Sequence, residues 1–171
     1  MMSAYSVLMS VYIKEDAQYF RTAVESMLNQ TIQPEQFVLV CDGPLTQGLD
    51  EVVSDYETRE PALFTVVRLP ENRGLGLALQ EGLLVCRNEL VARMDADDIS
   101  LPDRMEKQLK AMEQYDHPTV VGGQIAEFTH DPAHITGYRQ VPLTNEEIHK
   151  RGGFLCPVNH MTVFLRRSDI L

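Results

Sequence analysis

Three carboxylates fall within four consecutive residues, at Asp95, Asp97 and Asp98. Such a cluster is repulsive unless a cation lies among its members, because like charges at short range disfavour ionisation. Carboxylates at alternate positions can direct oxygens toward one hard cation such as Mg²⁺ or Mn²⁺. An EF-hand is excluded, since the loop lacks the required Gly and distal Glu. A purely structural role, in which Asp98 and Ser100 cap the next helix, leaves Asp95 and Asp97 unexplained.

Polar side chains also follow the predicted strands nearer the N-terminus. Ser10 and Tyr12 close the first strand, Asp42 follows the second, and the segment 72–74 (NRG) follows the third. In an open α/β sheet, ligands bind outside the carboxyl ends of the strands, so these residues are candidates for a binding site. A strand-ending Asp is often only a turn residue or an N-cap, and this alternative stays open for Asp42.

Strands and helices alternate through the first part of the chain. Short apolar runs at 5–11, 37–41, 64–69 and 90–94 are typical of strands buried on both faces of a parallel sheet. Between and after them, apolar residues recur at helical spacing over 20–28, 49–56, 75–86 and 105–112. This alternation, which continues to about Tyr115, predicts an α/β fold with a mostly parallel central sheet and helices on both faces.

The pattern changes after the fourth helix. Further strands are expected at 120–121 and 161–165, and residues 144–147 (TNEE) predict a capping box for a short helix. Ser100 is expected to be the N-cap of the helix that follows the acidic cluster. The 171 residues suit a single domain with one core. Because the chain stops at Leu171, just after a strand and a charged turn, we expect a C-terminal part of that domain to be missing.

Composition places the chain among acidic globular proteins. Its residues are 44% hydrophobic and 23% charged, which is typical of a folded domain and argues against disorder. The formal net charge of -10 argues against nucleic-acid binding, which needs Lys and Arg to neutralise phosphates. An acidic protein that holds a diphosphate needs a cation to offset the repulsion, so the charge favours a metal cofactor.

The cysteines and the hydropathy predict a cytoplasmic protein. Cys41, Cys86 and Cys156 are odd in number and form no C-x-x-C pair, which favours buried thiols in a reducing compartment. Charged residues at 14–16 end the first apolar stretch too early for a signal peptide. No segment approaches the ~20 apolar residues that a membrane span needs.

Taken together and in order, these segments resemble the inverting family 2 glycosyltransferases. The similar segments are 6–12 (SVLMSVY), 41–43 (CDG), 71–76 (ENRGLG), 92–98 (ARMDADD), 101–104 (LPDR), Gln108 and 159–163 (NHMTV). Of these, 92–98 resembles the metal-binding D-x-D signature of the family. Because the similarity runs in one order from about Tyr5 to Arg167, it is more specific than any single motif.

This resemblance implies a GT-A fold, a Rossmann-like domain that binds a nucleotide-diphospho-sugar. It implies that Asp42 contacts the base, usually uracil, and that Ser10 and Tyr12 line the nucleoside pocket. Arg73 would lie near the base or the phosphates. Many relatives carry a second acid before the strand-ending Asp, and Cys41 takes that position here, which weakens the case for uracil.

On the sugar side, the resemblance implies that Asp95 approaches the ribose or the donor sugar. Asp97 would bind the Mn²⁺ or Mg²⁺ that bridges the diphosphate. His160 would contact the donor side, with a packed core histidine as the alternative. The family's catalytic base is an Asp or Glu in a later segment, and Asp169 does not lie in such a motif. The catalytic residue is therefore unknown, and we expect it beyond the end of these 171 residues.

The implied reaction is a direct displacement, in which an acceptor hydroxyl attacks the anomeric carbon and a carboxylate takes its proton. Such a step inverts the anomeric configuration. The acceptor would be a saccharide or a lipid-linked saccharide in the synthesis of a bacterial surface polysaccharide. For the full-length protein, peripheral association with the inner face of the membrane is a further expectation.

Two other functions remain open. A sugar nucleotidyltransferase shares the fold and the metal, but it usually carries a Gly-rich loop with basic residues right after the first strand. Here that loop, 12–16 (YIKED), contains no Gly. A non-catalytic nucleotide-sugar-binding module would also suit a chain in which no base is recognised.

Overall fold

A six-stranded mixed sheet forms the centre of the computed structural model, which describes residues 4–153 and 156–171. Its first four strands are parallel and are joined by helices. In chain order these elements are β1 (Tyr5–Val11), α1 (Ala17–Leu28), β2 (Gln36–Cys41), α2 (Gln47–Arg59), β3 (Phe64–Arg68), α3 (Leu75–Val85), β4 (Leu90–Met94) and α4 (Arg104–Gln114). The predicted alternation of strands and helices is therefore confirmed.

The remainder of the chain forms shorter elements. These are β5 (Val120–Val121), β6 (Ile125–Phe128), β7 (Ile135–Arg139), α5 (Asn145–Gly152) and β8 (Phe164–Arg166), with 3₁₀ turns at His160–Thr162 and Arg167–Asp169. β8 pairs antiparallel with both β4 and β5, so the strand order is β3–β2–β1–β4–β8–β5. β6 and β7 form a separate antiparallel hairpin.

The two faces of the sheet are covered by different helices, because successive side chains of a strand point to opposite faces. Val7 and Met9 of β1 pack with apolar residues of α1, α2 and α4. Leu8, between them, packs with Ala78 and Leu83 of α3. Burial on both faces explains the continuous apolar runs of the strands. The predicted α/β class, with a mostly parallel sheet and helices on both faces, is confirmed.

Two local predictions were wrong. The strand predicted over 161–165 begins only at Phe164, because the preceding residues His160–Thr162 form a 3₁₀ turn. Ser100 does not cap α4, since Asp103 occupies the N-cap position. The Ser100 hydroxyl instead accepts a hydrogen bond from Gln30 Nε2 at 3.1 Å, which ties the loop before α4 to the end of α1.

The remaining local predictions had mixed outcomes. The capping box is present: the Thr144 hydroxyl accepts from the N–H of Glu147, and the Glu147 carboxylate accepts from the N–H of Thr144. Cys41 and Cys86 are buried as expected, but Cys156 is exposed. Among the described residues, no helix is long and apolar enough to span a bilayer.

Gly82 is a point of close packing between α3 and the sheet. A Cβ at this position would lie 2.3 Å from Leu8 Cδ1 and 2.7 Å from Val40 Cγ2. Glycine weakens a helix interior, so its presence here reflects the need for close approach rather than helix propensity.

Gly82→Ala should lower the free energy of unfolding by about 1–3 kcal/mol, because the added methyl group overpacks the contact with β1 and β2. Gly76→Ala, in the same helix, is the matched control, since nothing lies within 4 Å of its Cβ position. The control should be neutral or stabilise by up to about 1 kcal/mol. Urea unfolding of both variants provides the measurement. Equal stabilities of the two variants would show that close packing does not constrain Gly82.

Candidate functional site

The carboxyl ends of β2 and β4 lie on either side of the carboxyl end of β1. This follows because β1 pairs in parallel with β2 on one side and with β4 on the other. The chain extends from β1 to β2 and β3 in one direction, and α3 then carries it back to the other side of β1. A reversal of strand order leaves a crevice outside the strand ends, where ligands bind. Asp42 and Asp95 each follow one of the two flanking strands.

Asp42 is buried and joins two loops. Its Oδ1 accepts a hydrogen bond from the N–H of Arg73 at 2.7 Å, and its Oδ2 accepts one from the N–H of Gly74 at 3.0 Å. The carboxylate thus caps the amino end of α3, where unpaired N–H groups and the helix dipole favour negative charge. This differs from the turn or N-cap role that the sequence left open for Asp42, since Thr46 is the N-cap of α2. Each oxygen still keeps a lone pair for a ligand.

Gly43 allows these two loops to meet. Its φ is +87°, in the left-handed region that side chains disfavour. A Cβ here would also lie 2.6 Å from the backbone nitrogen of Asn72. The Asn72 side chain, in turn, donates to the carbonyl of Asp42 at 3.2 Å. Glycine after β2 is therefore what brings Asp42 against the loop before α3.

The other residues predicted for the nucleoside side are less enclosed. Ser10 is half-buried near the end of β1, and Tyr12, just beyond it, is 37% exposed. The Arg73 guanidinium is exposed and lies 3.4 Å from the Glu81 carboxylate, farther along α3. The structure thus brings Ser10, Tyr12 and Asp42 to the crevice, whereas the side chain of Arg73 is directed along α3.

A buried guanidinium holds Asp95. Arg93 of β4 is 4% exposed, and its Nη1 donates to Asp95 Oδ2 at 2.7 Å while its Nη2 contacts Oδ1. The backbone of Arg93 is also held at both ends: its N–H donates to the Val163 carbonyl, and its carbonyl accepts from Arg104 Nη2, both at 2.8 Å. A two-point contact of this kind fixes the plane of a carboxylate.

Asp97 is exposed in the loop after β4 and has no hydrogen-bond or ion-pair partner within residues 4–153 and 156–171. Glu15, in the loop after β1, lies near the loop after β4, whose residues 95–98 form the acidic loop. Burial raises the pKa of Glu15, and the charges of Asp97 and Asp95 raise it further. No sequence signal marks Glu15 except its position after a strand end. Carboxylates from two loops therefore face the same space.

Asp98 is partly buried beside these groups. Burial raises its pKa to about 6, and the charges of Asp95 and Asp97 add to the effect. Two cations oppose the shift, Arg93 and the buried Arg104. Burial in turn lowers the pKa of Arg104 to about 10. The loop therefore holds more negative charge than the two buried arginines neutralise.

His160 and Arg93 both line a cleft between α3 and β8. The cleft has a volume of about 340 Å³, and its apolar lining includes Leu79, Leu83 and Val91. Burial lowers the pKa of His160, and the charge of Arg93 lowers it further, against an opposing effect of the nearby acidic loop. The imidazole is therefore neutral at physiological pH. His160 is exposed and lies near Asp95, so it is not a packed core histidine.

The acidic loop suits a divalent cation without forming a closed metal site. Within the part of the chain that the structure describes, no three His, Cys, Asp or Glu side chains converge as a preformed ligand set. Mg²⁺ is commonly held by one or two carboxylates together with substrate phosphates and water. Asp97 offers an exposed carboxylate of this kind, and the uncompensated negative charge around it favours a cation.

Residues 6–171 match the family model for glycosyl transferase family 2. The chain belongs to this family. Its relatives include an uncharacterized glycosyltransferase of Haemophilus influenzae at 48% identity and an amylovoran biosynthesis glycosyltransferase of Erwinia amylovora at 37%. A third is the UDP-Gal:alpha-D-GlcNAc-diphosphoundecaprenol beta-1,3-galactosyltransferase of Escherichia coli, at 30%. The alignments cover 98% of this chain but 62%, 61% and 60% of those proteins, so the chain spans about three fifths of their length.

Similar solved structures confirm the predicted GT-A fold. S. aureus TarS 1-349 in complex with UDP has a TM-score of 0.71 and 20% identity, over 96% of this chain and 47% of that one. The mannosyltransferase PcManGT from Pyrobaculum calidifontis, in complex with GDP-Man and Mn²⁺, has a TM-score of 0.65 and 17% identity, over 98% and 46%. At these identities the likeness concerns the fold alone.

Asp98→Asn should raise the melting temperature in metal-free buffer near pH 7.5. In the folded state the pKa of Asp98 is about 6, against 3.8 for an ordinary aspartate, so ionisation of this group opposes folding. Between these two values the folded state binds the proton and the unfolded state does not, so stability falls as pH rises. The gain from Asn should therefore be smaller at pH 5 than at pH 7.5, and it should disappear only below pH 3.8, where Asp98 is protonated in both states.

Thermal unfolding in EDTA at the two pH values measures this difference. Asp116→Asn is the matched control, because Asp116 is exposed in the loop after α4, away from the acidic cluster. The control should shift the melting temperature little at either pH. A gain from Asp98→Asn that is equal at both pH values would contradict the assignment.

Proposed function

We propose that this chain binds the nucleotide-diphospho-sugar donor of an inverting, metal-dependent sugar transfer, with a UDP-sugar as the favoured donor. The observation that carries the proposal is the position of Asp42 and the Asp95–Asp97 loop on opposite sides of the β1 end, at the crevice where the strand order reverses. The comparisons support it, since the structures with this fold include complexes with UDP and with GDP-Man and Mn²⁺.

On the base side, Asp42 would be the recognising group. Its backbone hydrogen bonds hold the carboxylate in one orientation, and its remaining lone pairs would accept a hydrogen bond from the imino N–H of uracil, which cytosine lacks. Ser10 and Tyr12 would line the nucleoside pocket. Arg73 would reach the base or the phosphates by leaving Glu81, which costs little because exposed ion pairs are weak.

On the diphosphate side, Asp97 would hold Mn²⁺ or Mg²⁺. When bound, such a cation offsets the negative charge that develops on the leaving diphosphate. Asp95 would accept hydrogen bonds from hydroxyl groups of the ribose or the donor sugar, and the neutral His160 would contribute a further hydrogen bond there. These residues orient the donor. None of the residues in 4–153 and 156–171 is assigned as the general base for the acceptor hydroxyl.

The relatives favour a saccharide or lipid-linked saccharide as the acceptor. One is named for amylovoran biosynthesis and another for transfer to a sugar on diphosphoundecaprenol. We therefore place the proposed transfer in the assembly of a bacterial polysaccharide, where attack by an acceptor hydroxyl inverts the anomeric carbon. The family match disfavours a sugar nucleotidyltransferase. Turnover of UDP-galactose by the full-length protein would separate a transferase from a non-catalytic binding module.

Asp97→Ala should remove the metal dependence of UDP binding. In the wild type, Mn²⁺ should tighten UDP binding by about tenfold or more, which is about 1.4 kcal/mol, because a protein of net charge -10 repels a bare diphosphate. Calorimetry of UDP with Mn²⁺ and with EDTA measures this. Asp116→Ala removes the same charge elsewhere and should keep the full dependence. Equal UDP affinity of the wild type in Mn²⁺ and in EDTA would contradict the proposal.

Asp42→Asn should weaken UDP binding by roughly 1–3 kcal/mol, the cost of losing a charge-assisted hydrogen bond in a buried site. Because Asp42 also holds the loop before α3, the variant should unfold more easily, so affinity alone does not isolate the contact with the base. The ratio of UDP affinity to CDP affinity isolates this contact, since general loosening of the site would weaken the binding of both nucleotides. A wild type that binds CDP as tightly as UDP would refute this role for Asp42.

A further inference from the structure

Arg93 is a buried cation without an assigned role in the proposed reaction. Its side chain is 4% exposed, and its Nε is buried without a hydrogen-bond partner among the described residues. The two outer nitrogens, by contrast, both engage Asp95. Burying a guanidinium is unfavourable, and an ion pair in such a place often contributes little net stability. The pair is therefore better explained by what it does to Asp95.

Because of this ion pair, Asp95 and Asp97 of the D-x-D segment differ in how their charges are compensated. With both oxygens on one guanidinium, Asp95 has its charge compensated and cannot rotate toward a cation without breaking a hydrogen bond and an ion-pair contact. Asp97, two residues later, is exposed and unpaired within the described ranges. The same loop thus presents one oriented carboxylate and one available carboxylate.

The anchoring of Arg93 prevents the pair from moving as a unit. Its N–H is bound to the Val163 carbonyl next to the His160–Thr162 turn, and its carbonyl is bound to Arg104 of α4. Leu8 of β1 lies opposite Arg93 in the parallel register. The backbone of Arg93 is therefore fixed in the sheet, its side chain is buried, and the guanidinium holds Asp95.

We propose that Arg93 is a positioning residue that keeps Asp95 off the metal ion and turns it toward a hydroxyl of the donor, so that Asp97 carries the cation. This inference rests on the proposed function for the identity of the ligands. The Asp95 oxygens keep lone pairs that Arg93 does not use, and these can accept hydroxyl hydrogens. A planar, forked donor is needed for this task, so lysine is a poor substitute.

The first measurement is Mn²⁺ affinity without nucleotide, from the paramagnetic resonance signal of free Mn²⁺. Arg93→Met should bind Mn²⁺ about tenfold or more tightly, on the scale by which outer-shell partners alter metal affinity, because Asp95 becomes a second ligand. In an Asp95→Asn background, the same Arg93→Met change should give no gain. Arg93→Lys keeps the charge but loses the fork, so it should bind Mn²⁺ more tightly than the wild type.

The second measurement is the affinity for UDP-galactose at saturating Mn²⁺, which should fall in Arg93→Met although Mn²⁺ binding improves. A merely structural role for Arg93 would weaken both ligands together, and that result would overturn the inference. A Mn²⁺ gain of equal size with and without the Asp95→Asn change would also overturn it, since it would show only the removal of a repelling charge. Melting curves identify variants that do not fold. If Arg93→Met does not fold, the Mn²⁺ and UDP-galactose affinities of Arg93→Lys, the milder change, test the inference.

Failure of the inference can be told from failure of the proposed function. If the wild type binds Mn²⁺ and UDP-galactose but Arg93→Met and Arg93→Lys change neither affinity, only the positioning role of Arg93 is wrong. If neither the wild type nor any Arg93 variant binds Mn²⁺ or UDP-galactose, the proposed function is wrong and the inference falls with it.

Discussion

The parallel pairing of β1 with both β2 and β4 is the constraint on which the rest of the molecule depends. It brings Asp42 and Asp95, which are far apart in the chain, to either side of one strand end. It also obliges α3 to cross back over the sheet, where Gly82 allows close packing on Leu8. Once α3 is in place, backbone N–H groups at its amino end meet the carboxylate of Asp42. The fold and the candidate site are thus two consequences of one strand order.

At this edge, three carboxylates have three different environments. Asp42 is compensated by backbone N–H groups, Asp95 by the guanidinium of Arg93, and Asp97 by nothing within residues 4–153 and 156–171. Backbone donors and a guanidinium fork are directional, so they orient the carboxylates that they bind. A carboxylate without such partners remains available to a cation. The way each charge is compensated, more than the number of acids, separates the proposed roles of these residues.

Much of this arrangement could be predicted from the sequence. Alternating buried strands and amphipathic helices can pack in only a few ways, and this alternation predicted the α/β class. Asp42 and Asp95 stood out because each follows a predicted strand, and Asp97 stood out because it belongs to a cluster of three acids. The β6–β7 hairpin was not predicted, because its exposed residues carry no strong periodic pattern. The direction of β8 could not be predicted either, since an apolar run does not state whether it pairs parallel or antiparallel.

The sequence by itself determined the fold class, the sheet edge at which the polar residues gather, and the family. Only the tertiary structure decided how each of those residues is held. Arg93 forms an ion pair with Asp95, Glu15 faces the acidic loop, and Asp42 accepts hydrogen bonds at the amino end of α3. The reason is physical. Periodicity reports the face of an element on which a side chain lies, whereas its charge state and orientation depend on partners from distant segments, which meet only when the sheet is assembled.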